Sequence, residues 1–238
     1  MARNMRNFTL CCLLFCLWAC KKKEETPSGI LNPSDKFAVC NSSLAECTNG
    51  TGDYCLFGYK WGAKPSFSPA GFDAIGPQET GGKITFSFQG EGQLVNTHAQ
   101  IDLPSRSFDN VLSCAQVEIR NALNAWAAAA NIEFEELPEN SPSQIRFFVA
   151  DIRQSGVGYP NFTTPPCNAI GGDVVIKTNV NIQDCNFFYL FAMHEIGHAL
   201  GLGHVNSANV MNPKFQDFNV TALQSGDLKG IEALYGAK

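Results

Sequence analysis

The sequence predicts an α+β domain in which a twisted mixed sheet holds a buried helix and closes on a C-terminal helix. Three observations predict it. Segments of period two and period 3.6 follow one another in the order strand, helix, strands, helix, helix. One helical stretch, Phe187–Leu200, is apolar almost throughout, as a helix through the centre of a domain must be. A chain of 238 residues is long enough for one sizeable core with a small N-terminal extension.

Each element has its own signal. Lys83–Gln89 alternates, with Ile84, Phe86 and Phe88 on one face of a strand. Between Ser113 and Ala130 the residues Ala115, Ile119, Ala122, Leu123, Trp126 and Ala130 fall at helical spacing, which makes Trp126 a core residue rather than a cofactor contact. Ile132–Leu137, Ile145–Ala150 and Asp173–Lys177 read as short strands from their alternation and their β-branched or aromatic content. Ser225–Tyr235 is an amphipathic helix, with Leu228, Ile231, Leu234 and Tyr235 inward and Gly236 as its stop.

Ahead of the domain, Arg3 and Arg6 precede an uncharged apolar run, Phe8–Ala19, that suits an export signal and is short for a membrane span. Leu17-Trp18-Ala19-Cys20 resembles a bacterial lipobox, which implies lipid on Cys20 and a charged, flexible tether over 20–36. Residues 37–80 are rich in Cys, Gly and Pro and form an extension or pro-region, and the domain itself begins near Gly81-Gly82 and runs over 81–238. The signal occupies 1–19. Net charge is −5 and no basic run follows the N-terminus, which argues against nucleic-acid partners.

Setting aside Cys11, Cys12, Cys16 and Cys20 leaves Cys40, Cys47, Cys55, Cys114, Cys167 and Cys185. An even set in an exported domain fits three disulfides, with about fifteen pairings open. Cys167 with Cys185 is the preferred pair, closing the segment before the apolar helix; an N-terminal thiolate on a metal is the alternative use.

The chemistry is concentrated in His194-Glu195-Ile196-Gly197-His198-Ala199-Leu200-Gly201-Leu202-Gly203-His204, which holds all but one of the chain's four histidines. On a helix His194 and His198 share one face and can bind one ion. Gly201 tolerates the left-handed conformation that ends helices, so the chain can reverse and return His204 as a third ligand. Three neutral nitrogens leave one position open, the catalytic zinc arrangement. Zinc there acidifies water and polarises a carbonyl. Glu195, offset from the ligand face, takes the water's proton and returns it to the leaving amine. With Met211 following, this is a long and specific pattern.

From Gly82 to Gly236 the chain resembles the matrixin-type metzincin peptidases. The resemblance rests on Lys83–Phe88, Ala122–Leu137, Ser143–Ala150, Gly172–Ile176, His194–His204, Val210–Pro213 and Gly226–Gly236. It implies a zincin/metzincin-like catalytic domain, one catalytic zinc on His194, His198 and His204, Glu195 as general base, and Met211 in a supporting turn. Pro213 stands two residues after Met211, where astacin-like families carry a ligand tyrosine. It also implies an edge strand near Ser155–Tyr159 that pairs with an extended peptide, and a pocket at Leu190, Pro213 and Phe215 for a large apolar side chain after the cleaved bond. His98 is the only other histidine, so a second three-histidine zinc is not expected. Gly171–Asn179 lacks a dense acidic run, which leaves structural calcium unsupported. No cysteine-switch motif occurs in 21–80; if residues 37–80 inhibit, they use another device, such as Asp53 or a cysteine.

The expectation is therefore an exported zinc endopeptidase acting as a monomer on protein or peptide substrates. It would be an outer-membrane lipoprotein, periplasmic or surface-exposed, or a secreted protein. The alternative is a surface-anchored binding lipoprotein with a latent or silent site.

Overall fold

The computed structural model describes residues 36–42, 44, 52–61, 83–182 and 184–238. All lie in one compact unit, 31–238. The export signal, Cys20 and the tether through residue 35 fall outside them. Among the described residues no helix is long and apolar enough to cross a membrane.

The chain runs α1 (Ala38–Ser42), β1 (Cys55–Leu56), β2 (Lys83–Phe88), β3 (Leu94–Val95), β4 (Leu103–Pro104), α2 (Ala115–Ala129), β5 (Glu133–Glu136), β6 (Ile145–Ala150), β7 (Gly156–Gly158), β8 (Asp173–Lys177), α3 (Cys185–Leu200), β9 (Leu202–Gly203) and α4 (Ser225–Tyr235). The principal sheet has the order β5-β2-β6-β8-β7. Its first four strands are parallel and β7 runs antiparallel at the edge. This is the expected α+β fold with a mixed sheet.

Alternation along the strands covers both faces of the sheet. Ile84, Phe86, Phe88, Phe147, Val149, Val174 and Ile176 pack with α2 and α3 in the main core. Phe148, Ala150 and Val175 face the other way, onto Val95, Leu103 and Ile152. The outer strand β5 carries three glutamates, and Glu136 is held by a bidentate Arg120 at 2.7 Å, a charged edge that discourages further pairing. Trp126 is fully buried on α2 and donates its Nε1–H to the Met193 carbonyl of α3 at 3.0 Å.

Two expectations are corrected. Cys167 pairs with Cys40 and Cys185 pairs with Cys114, with Cα separations of 5.4 and 6.2 Å. The packing of α2 beside α3 puts the starts of those helices together, whereas Cys167 lies in a 3-10 turn facing the N-terminal segment. Leu228 faces solvent, not the core; its neighbour Asp227 is buried because its carboxylate satisfies main-chain donors.

The segment 52–61 is bonded into the domain. Cys55 and Leu56 pair antiparallel with Gly203 and Leu202. Trp61 donates its Nε1–H to the Ala199 carbonyl at 2.8 Å, and buried Lys60 donates to the Leu234 carbonyl. Tyr235 accepts the Trp61 N–H and donates to the Leu200 carbonyl, joining that segment to both α3 and α4.

Candidate metal centre and cleft

α3 begins where the Asp184 side chain accepts the Asn186 N–H, and from Phe188 to Leu200 only Tyr189 escapes full burial. Its end is set by Gly201 at φ 111°, with an N–H that caps the Gly197 and His198 carbonyls. The chain then turns into β9 and reaches His204. Pairing of β1 with β9 fixes the two residues immediately before that histidine.

The three imidazoles converge. Their Nε2 atoms lie 3.0–3.2 Å apart. His194 Nδ1 is 2.7 Å from the Val210 carbonyl and His198 Nδ1 is 2.8 Å from the Leu202 carbonyl. A carbonyl can only accept, so both Nδ1 atoms carry the proton and both Nε2 atoms present lone pairs. Burial pushes the His194 pKa down to about 4 and holds that of His198 well below its ordinary value, which keeps the rings neutral. Lone pairs aimed at one point repel unless a cation lies between them. Nitrogens bound at about 2.0–2.1 Å around a tetrahedral zinc stand roughly 3.3 Å apart, close to the spacing here. The donor set fits that ion.

Glu195 is not among the mutually close donors, which are the histidines alone among the described residues. Its carboxyl faces β7 and accepts the Gly158 N–H; burial, the larger effect, pushes its pKa up to about 8. Met211 is 2 % exposed, its Sδ against Gly197 between His194 and His198 on α3, where a Cβ would collide with it. The backbone N–H groups of Val210 and Met211 both donate to Asp227. Burial raises the Asp227 pKa, and those donors with the Gln224 N–H oppose the rise. Sequence reasoning missed this aspartate. Its signal was an acid three residues after Gln224, the reciprocal capping pattern at the start of α4.

A cleft of about 630 Å³ opens over these residues, lined by Glu195 and the three histidines, by β7, and by side chains at its two ends. Pro213 and Phe215 line it, as the sequence suggested; Leu190 packs in the core, and Phe187 and Phe191 line the cleft beside Phe215. Ser155 and Tyr159 bond across to β8, so by alternation Gly156 and Gly158 turn their main-chain groups outward. His98 is half-buried at the cleft, with its Nδ1 2.7 Å from the Tyr159 hydroxyl. Asp53 forms an exposed ion pair with Lys229, away from the triad. The described cysteines are all disulfide-bonded.

Comparison with known proteins agrees with this geometry. A family model described as Matrixin matches residues 106–236. Matrix metalloproteinase-16 of Rattus norvegicus is 31% identical over 143 residues, covering 50% of this chain and 23% of that protein. Neutrophil collagenase of Homo sapiens is 30% identical over 145 residues, covering 55% of this chain and 31% of its own. Human matrilysin is 30% identical over 157 residues, covering 58% of this chain and 54% of its own. The chain thus spans between about a quarter and about half the length of these relatives.

Proposed function

The chain belongs to the matrixin family, and on that footing we propose that it is a zinc-dependent endopeptidase cutting internal peptide bonds of protein substrates. The observation that carries the reading is the convergence of three Nε2 lone pairs beside Glu195 in an open cleft. His194, His198 and His204 would hold the ion, each oriented from behind or by its turn, and Met211 supports them. When bound, zinc acidifies water and polarises a carbonyl.

The remaining work falls to the chain's own groups. An extended peptide pairs with the outward main-chain groups of β7 other than the Gly158 N–H, which Glu195 holds, and this aligns a scissile bond over Glu195. The Glu195 carboxylate accepts a proton from the attacking water and passes it to the amine that leaves. Its Gly158 N–H partner aims it during both transfers. The apolar wall at Pro213, Phe215, Phe187 and Phe191 receives the side chain after the bond.

We place the enzyme outside the inner membrane, exported by residues 1–19 and tethered by lipid on Cys20. Disulfides at Cys40–Cys167 and Cys114–Cys185 support an oxidising compartment. The test is hydrolysis of internally quenched peptides that stops with a chelator and returns with added zinc. Stoichiometric zinc with no cleavage across a broad peptide and protein panel would overturn the enzymatic reading in favour of a silent binding protein.

A further inference from the structure

We propose that the disulfide-pinned N-terminal segment is a standing wall of the substrate cleft, in which Leu44 and Phe57 select a large apolar side chain before the cleaved bond. The inference rests on the peptidase reading above.

The cleft has two ends, told apart by what meets β7. A Cβ on Gly156 would meet the Phe191 ring and the Glu195 carboxyl, whereas one on Gly158 would meet the Glu195 main-chain carbonyl and the His198 Cβ. Phe187 and Phe191 lie in the N-terminal half of α3, and the rings of Phe187 and Phe215 are tilted at 31° with centroids 5.6 Å apart. That end takes the side chain after the bond, so residues before it lie toward Gly158, His198 and Tyr159.

Here the wall comes from the extension. Phe57 is buried, donates its N–H to the Gly201 carbonyl at 2.9 Å, and stacks on the His198 ring with centroids 5.5 Å apart and planes at 25°. Leu44 packs against a small core of Phe37, Cys40, Tyr159, Phe162, Cys167 and Ile170. The Cys40–Cys167 bond fastens that core to the domain. Leu44 and Phe57 both line the cleft, with Asn41 beside them, and Val157 and Tyr159 continue the surface. None of these lining residues carries a formal charge. Such a wall discriminates by apolar burial, worth roughly tenfold or more per large side chain.

The test uses a peptide library varied on both sides of the scissile bond, read by hydrolysis with wild type and by fluorescence anisotropy on the Glu195→Gln protein, which binds without cutting. Expected are a preference for large apolar residues before the bond and a loss of about tenfold in affinity and in kcat/KM on Leu44→Asp. The loss should fall mainly in KM, with a gain for Lys or Arg at that position and the preference after the bond unchanged. Cys40→Ser with Cys167→Ser should flatten the same preference and leave the other side alone. If both variants bind the library as wild type does, the wall is refuted while the peptidase stands. If the Glu195→Gln protein shows the Leu44-dependent preference and wild type cuts nothing, the wall stands and the peptidase falls.

Discussion

Asp227 and His194 grip the same residue from opposite sides. The Asp227 carboxylate accepts the Val210 N–H at 2.9 Å, and His194 Nδ1 donates to the Val210 carbonyl at 2.7 Å. Asp227→Ala leaves two buried N–H groups, of Val210 and Met211, without an acceptor, a cost of about 1–3 kcal/mol each. Loosening the residue behind His194 should also weaken zinc binding by about 10–100-fold. Urea denaturation and a competitive zinc titration check the two effects separately; unchanged zinc affinity would show that Val210 is held without Asp227.

Glu195→Gln keeps the shape and the Gly158 contact but cannot take a proton. Zinc content should stay stoichiometric while kcat falls by about 10²–10⁴-fold. Metal analysis beside a peptide assay decides it, and full activity would assign the base elsewhere.

His98 gives an acid-sensitive contribution to stability. Burial lowers its pKa below the ordinary 6.5, and its Nδ1 is engaged by the Tyr159 hydroxyl. The folded state therefore resists a proton that the unfolded chain accepts. That contribution is complete above pH about 6.5 and is lost as pH falls through the lowered value. The difference in urea midpoint between wild type and His98→Asn should shrink on acidification from pH 7.5 to 5. A constant difference would mean that His98 titrates alike in both states.

Trp61 measures how far the extension belongs to the domain. Trp61→Phe removes the donor to the buried Ala199 carbonyl and should cost about 1–3 kcal/mol. Trp61→Ala should cost about 3–5 kcal/mol through the cavity as well. Chemical denaturation reads both, and near-zero values would make the extension an appendage.

What the sequence disclosed tracks the range of the forces involved. His194, Glu195 and His198 sit on one helix, so their spacing alone sets their relation, and Gly201 marks the reversal to His204. The long strands and α2 were legible because period two and period 3.6 are local properties. The pairing of β1 with β9 was not, since two-residue strands have no period to read. The pairing of Cys114 with Cys185 followed the packing of α2 on α3 rather than proximity along the chain. Leu228 was misassigned because apolar spacing on α4 cannot reveal that a carboxylate takes the inward place. Phe57 and Leu44 came to the cleft through Cys40–Cys167 and β1, both long-range contacts.

Cys40 and Cys167 stand 127 residues apart, so the backbone between them is a covalently closed ring. Cutting a ring once opens it without freeing a piece. A protease nicking between Trp61 and Lys83 would create a new N-terminus, yet both polypeptides would run together in non-reducing electrophoresis and part only on reduction. Maturation by shedding an N-terminal fragment must therefore cut before Cys40, or be preceded by reduction of that bond.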